Sequence, residues 1–284
     1  SKQPERSFAW VKDQEIDGAT DFADFQNQVT QIISQEWQAK ASRRILTVVE
    51  TVRDAAAIYQ QLKKQFSSSE DESGRFLFLY HGRIADQLRP DIYKALKQRD
   101  DDRKPYILVT TSAIEVGCDL NAEILVSQIC PPENLIQRAG RCNRRGDVPD
   151  AKVIVVGDSI PDFANTLDET GWQNYQNTLS HLKTFDAGAI ADCISHNPHI
   201  DDYRVVELFS MLHDYVYGAD LTCQPTHKRG LIPTRSWEPS AELRLMFSEK
   251  DYHSISVPIS RLAEKNGQQY AYTYAFERRY DQEN

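Results

Sequence analysis

Apolar residues recur along this chain in two periods, and the change between them divides it. Near the amino end, Phe22, Phe25, Val29, Ile32 and Trp37 follow helical spacing and predict an amphipathic helix over about 21–38. Short continuous apolar runs then alternate with amphipathic ones. RILTVVE predicts a strand and TVRDAAAIYQQLKKQF the helix after it, then RFLFLYHG a second strand followed by a helix over about 84–99. PYILVTT and AEILVSQI predict a third and a fourth strand. PENLIQRAGRCNRR predicts a helix opened by proline, and AKVIVVG a fifth strand. Strands this apolar belong inside a parallel sheet with helices on both faces, an α/β unit running to about residue 165.

Beyond that point the pattern changes. Trp172, Tyr175, Leu179 and Leu182 predict one helix, and Val205, Val206, Phe209, Leu212 and Val216 another. After Gly230 the period drops to two, at Leu243, Leu245 and Phe247, at Ile255, Val257 and Ile259, and at Tyr270, Tyr272, Tyr274 and Phe276. This predicts a smaller mixed α+β domain over 166–284, after a first domain over 1–165. A length of 284 residues suits two domains.

Composition narrows the classes. The formal net charge of −9 argues against a wholesale polyanion-binding surface, so contact with nucleic acid requires a local basic track. The five cysteines are widely spaced and contain no C-x-x-C, which points away from a disulfide framework or zinc site and towards a reducing cytoplasm. No stretch approaches the roughly 18 apolar residues of a membrane span. The first thirty residues lack the apolar core of a signal peptide.

Against that acidic background, LIQRAGRCNRRG (135–146) gathers four arginines and a glutamine. On a continuous helix, Gln137, Arg141 and Arg144 fall at i, i+4 and i+7 on one face, a fork-shaped donor set suited to phosphate oxygens. Arg138 and Arg145 then point elsewhere, towards acids or water. The plain alternative is a solvated basic helix face. Upstream, ILVTTSAIEVGCDL (107–120) ends a buried strand in Thr110, Thr111 and Ser112 before a loop carrying Glu115, Gly117 and Asp119. Hydroxyls and N–H groups beyond the carboxyl end of a parallel strand suit phosphates, and Asp119 suits a ribose hydroxyl or an arginine. The plain alternative there is a capped turn whose threonines bond the backbone.

In order, separation and setting, the two stretches resemble motifs V and VI of superfamily 2 helicases, with the Q-x-x-G-R-x-x-R core standing as Gln137, Gly140, Arg141 and Arg144. The resemblance implies that residues 40–165 form a second RecA-like domain. Arg141 and Arg144 would then be arginine fingers reaching the γ-phosphate of ATP on a first RecA-like domain. Gln137, Gly117 and Asp119 would line the same cleft. Thr110, Thr111, Thr51 and Arg83 of YHGR would meet the nucleic-acid backbone, although Glu50 puts an acid beside that path.

The phosphate cradle G-x-x-x-x-G-K-[ST] does not occur in this sequence, and its Asp-Glu pairs, Asp71-Glu72 and Asp168-Glu169, lie in polar loops. ATP with Mg2+ is therefore expected mainly on a separate motor half, and the chain by itself is expected to be inactive. AGRCNRRG and SAIEVGCDL are most similar to the CRISPR-associated helicase of type I interference, and GLIPTRSWEPS (230–240) is similar to the domain that follows its motor. This implies single-stranded DNA as track, an RNA-guided surveillance complex as recruiter, and a nuclease domain elsewhere. His213-Asp214 mirrors that nuclease's His-Asp pair, but no further ligands group with it. The aromatic run Tyr270–Phe276 suits either a strand packed into the second domain or a base-stacking platform. Two other functions fit the residues: a related RNA or repair helicase half, and a non-catalytic adaptor.

Overall fold

The computed structural model describes residues 5–12, 22–40, 43–66, 76–85, 87–114, 118–162, 164–195, 240–246 and 252–258. Six parallel strands form one sheet: β1 (Ser7–Val11), β2 (Arg44–Val48), β3 (Leu77–Tyr80), β4 (Tyr106–Thr110), β5 (Ile124–Gln128) and β6 (Lys152–Val156), in the order β1-β6-β5-β2-β4-β3. Five are those expected. The sixth, β1, is the short run SFAWV ahead of the first helix, paired from Ser7 with Lys152 to Val11 with Val156.

The alternation of side chains along each strand sorts the core into two layers. Leu46, Val48, Tyr106, Leu108, Leu125, Val153 and Val155 belong to one layer, and Ile45, Ile107, Val109, Ile124, Val126, Ile154 and Val156 to the other. The second layer is closed by helices α1 (Phe22–Ala39) and α2 (Val52–Gln65) through Val29, Ile33, Ile58 and Leu62, all fully buried. Trp37 stacks on Phe76 with ring centroids 5.1 Å apart. The first layer is closed by α3 (Arg89–Asp101), α4 (Pro132–Ala139), α5 (Glu169–His181) and α6 (Ala187–Ser195). Each fully buried Leu, Ile or Val contributes about 1.5–3 kcal/mol relative to exposure, so the two layers hold the sheet from both sides.

Two expected helices are shorter than their periodicity. The helix expected over about 84–99 begins at Arg89, with Pro90 in its first turn. The helix expected over PENLIQRAGRCNRR stops at Ala139, and that correction bears on the site. Past residue 165, Tyr175 and Leu179 of α5 and Ile190 and Cys193 of α6 join the same layer as β5 and β6. Separately, β7 (Ser240–Met246) and β8 (Tyr252–Pro258) form an antiparallel hairpin, with Leu243 opposite Ile255. The helix expected over 205–216, His213-Asp214 and the aromatic run 270–276 lie outside the described residues. Among the described residues, no helix is long and apolar enough to cross a membrane.

Candidate functional site

The expected site residues separate onto two rims of the sheet. The carboxyl-terminal ends of β2, β4 and β3, three adjacent strands, carry Thr51, Thr110 with Thr111, and Arg83. Thr51 caps α2: its hydroxyl accepts from the Asp54 N–H at 3.0 Å and donates to the Asp54 carboxylate at 2.5 Å. Thr110 is fully buried and its hydroxyl donates to the Thr111 carbonyl at 3.1 Å. Both hydroxyls thus bond locally, as capped turns do. Arg83 is exposed, and its N–H donates to Nδ1 of the buried His81 at 3.2 Å. Burial holds the His81 imidazole below its ordinary value, and the Arg83 charge adds to the effect, so the ring stays neutral and keeps that lone pair.

The arginine stretch lies at the opposite rim. From Thr111 the chain crosses from the carboxyl end of β4 to the amino end of β5, where Asp119, Leu120 and Asn121 precede Ala122. The backbone N–H of Ala122 donates to the Arg141 carbonyl at 2.9 Å, and the Asn143 N–H donates back to the Ala122 carbonyl at 2.8 Å. This bridge buries Cys142 completely and is the reason the helix cannot continue. Gly140 closes α4, where an added Cβ would meet the Gln137 carbonyl oxygen at 3.2 Å. Asn143 then turns with φ 45° and Gly146 with φ 70°. Arg141 and Arg144 therefore leave a turn rather than one face of a continuous helix, and Gln137 stays exposed on the last turn of α4. Gly117 lies outside the described residues.

The four arginines meet different fates. Arg138 is 1% exposed and its Nη2 donates to Glu50, itself 9% exposed, at 2.6 Å, while Nη1 reaches the Ser127 hydroxyl at 3.1 Å. Glu50, expected to obstruct a phosphate path, is instead the counterion of a core guanidinium. Arg144 is 50% exposed and its Nη1 donates to Asp119 at 2.7 Å. Lys97 stands 3.7 Å from the same carboxylate and 2.7 Å from Asp101, and the bond to Asp101 raises its pKa first among several acidic neighbours. Arg145 faces Asp101 at 3.6 Å. Arg141 is half-buried and close enough to Cys118 for its charge to oppose the upward push of burial on that thiol. Cys142 is pushed up to about 12 by burial, so neither thiol supplies a nucleophile here.

A buried polar cluster braces this rim. Asp100 is fully buried and its carboxylate accepts from the Tyr106 hydroxyl at 3.0 Å and from the Asn121 N–H at 3.1 and 3.2 Å. Arg44 stands 3.6 Å from Asp100 and 3.2 Å from Glu123. Nothing in the periodicity marks Asp100 or Asn121, although charged residues at the first positions of apolar strands (Arg44 before ILTV, Glu123 before ILVS) were a readable hint. Among the described residues no group of three or more His, Cys, Asp or Glu is placed to hold a metal ion.

Residues 41–147 match the family model of the CRISPR-associated nuclease/helicase Cas3, C-terminal. A CRISPR-associated nuclease/helicase Cas3 of Methanocaldococcus jannaschii is 28% identical over 125 residues, 43% of this chain and 16% of that protein. One from Methanothermobacter thermautotrophicus is 24% identical over 123 residues, 42% of this chain and 14% of that protein. The fold matches the crystal structure of T. fusca Cas3-ATP with a TM-score of 0.53 at 16% identity, over 78% of this chain and 28% of that one. The chain thus matches a small part of the length of each relative.

Proposed function

We propose that this chain, the C-terminal helicase part of a Cas3-type protein, is one half of an ATP-driven motor that moves along single-stranded DNA. The observation that carries the reading is the contrast within one stretch. Arg138 is spent inside the core, whereas Arg141 and Arg144 stand on a braced turn beside Asp119, with Arg144 half in solvent. An exposed guanidinium held beside one carboxylate can exchange that partner for a phosphate without crossing a desolvation barrier.

In this reading ATP with Mg2+ rests mainly on a first RecA-like domain outside this sequence. Arg141 and Arg144 act as its fingers, while Gln137, Gly117 and Asp119 line the joint cleft. Thr51, Arg83 and Thr111 form the DNA side on the other rim, with the fully buried Thr110 supporting Thr111 from within rather than meeting DNA itself. The isolated chain is then inactive towards ATP. An RNA-guided surveillance complex would deliver the DNA, with the nuclease on another domain and the whole at work in the cytoplasm.

The test is Arg141→Ala in the complete protein. Arginine fingers are worth about 10³–10⁵ in turnover. DNA-stimulated ATP turnover should therefore fall at least a thousandfold, with DNA binding kept within about threefold. Normal turnover by that variant would leave the adaptor reading as the better one.

A further inference from the structure

Two buried asparagines hold the arginine stretch, and the chemistry proposed above uses neither. Asn143 lies between Arg141 and Arg144 at φ 45°, a left-handed conformation that asparagine tolerates better than most side chains. Its Nδ2 donates to the Val148 carbonyl at 2.9 Å and to the Glu5 carbonyl at 3.1 Å, and its Oδ1 accepts from the Val148 N–H at 3.0 Å. One amide thus closes the loop on itself and fastens it to the residues entering β1. Asn121 does the same from the other side. Its Oδ1 accepts from the Arg145 N–H at 3.3 Å and its Nδ2 donates to Asp147 at 3.1 Å. Its own N–H is anchored on the buried Asp100 carboxylate.

Between these two points the loop is otherwise held from its solvent side, by Arg144 with Asp119 at 2.7 Å, Arg145 with Asp101 at 3.6 Å and Asp147 with Arg103 at 2.8 Å. The two amides are therefore its buried attachments. Arg144, Arg145, Gly146 and Asp147 are exposed, and Val148 is the first apolar side chain after Cys142 to return to the core. Both amides are 2% exposed. We infer that Asn121 and Asn143 are the positioning residues of Arg141 and Arg144, each fastening the loop to a different element of the sheet. The inference rests on the arginine-finger reading for its effect on turnover, though not for its effect on the loop. Neither amide is a catalytic group. Each sets where a guanidinium stands, and a misplacement of about 1 Å at a reacting centre costs on the order of 10²-fold in rate.

Two measurements test this. In this chain, Asn143→Gly keeps the left-handed turn and deletes the amide. Amide hydrogen exchange over 141–148 should quicken at least tenfold, with the amides of β2 and β4 as protected as before; unchanged exchange over the loop overturns the inference whatever ATP does. In the complete protein, Asn121→Asp sets a carboxylate against Asp147, and kcat should fall about tenfold or more with KM for ATP within about twofold. The double variant N121D/D147N restores a donor facing an acceptor and should return kcat to within about threefold. A double variant no better than Asn121→Asp also overturns the inference. Should Asn143→Gly fail to fold, that pair decides. Arg141→Ala run alongside separates the two ideas, since its normal turnover would sink the finger reading and leave the exchange result standing.

Discussion

The carboxyl-terminal rim of the sheet carries hydroxyls that bond locally and, among the described residues, the exposed guanidiniums of Arg53 and Arg83, while the amino-terminal rim is dense in matched charge. On the first, Thr51 and Thr110 bond their own backbone or a neighbouring acid, and Glu50 is consumed by Arg138. On the second, Arg44, Asp100 and Glu123 are paired inside, and Arg144, Arg145, Lys97, Asp101 and Asp119 are paired outside. The difference lies in where the fold buries its charge and where it leaves charge in solvent. Hydroxyls and N–H groups can follow a polyanion without fixing its sequence. Exposed guanidiniums beside exposed carboxylates exchange partners readily, which is what the proposed finger role asks of Arg144.

Breaking the carboxyl rim from within should have the largest effect on stability. Glu50→Gln leaves Arg138 buried without its counterion, and removing one partner of a buried pair costs about 3–5 kcal/mol. A denaturant melt should show that loss, and E50Q/R138M should recover most of it. An effect below about 1 kcal/mol would mean that Glu50 faces solvent after all. A smaller change is expected outside the core. Arg83→Ala should weaken binding of single-stranded DNA and reduce the slope of log affinity against log salt by about 0.7, one phosphate contact on a single strand. Asp119→Asn, at the other rim, should leave that slope unchanged.

The smallest expected effect is on pH dependence. His81 is held below its ordinary value of 6.5, first by burial and then by Arg83. The unfolded chain therefore takes up this proton before the folded one does. Stability from the neutral ring is complete above pH 6.5 and is lost as pH falls towards the lower folded value. Thermal melts from pH 7.5 to 5.5 should show that decline in the native chain. The decline should be shallower in His81→Asn, and equal slopes would remove His81 as its source.

Much of this was legible from residue order. Continuous apolar runs announced five strands because a strand buried on both faces has no polar side to show. The Q-x-x-G-R-x-x-R spacing marked Arg141 and Arg144 as candidates only through its likeness to a known motif, because spacing alone left a solvated basic helix face equally open. Other features were not legible. SFAWV is too short for its period to distinguish strand from loop, and only pairing with β6 and a second edge contact, Phe8 N–H to the Lys183 carbonyl at 2.9 Å, make it β1. The helix through Arg145 was a fair extension of α4's periodicity, yet the bridge between Ala122 and Cys142, twenty residues apart, ends it.

The sequence by itself determined the parallel α/β class, the order of five of the six strands, and the gathering of four arginines in one stretch, because periodicity and composition are local properties. The tertiary structure alone decided that the threonines and the arginines stand on opposite rims. It also decided that Arg138 belongs to the core while Arg144 belongs to solvent, and that Asn121 and Asn143 brace the turn between them. Each of those depends on which distant group comes within a hydrogen bond's reach, and no spacing along the chain records that distance.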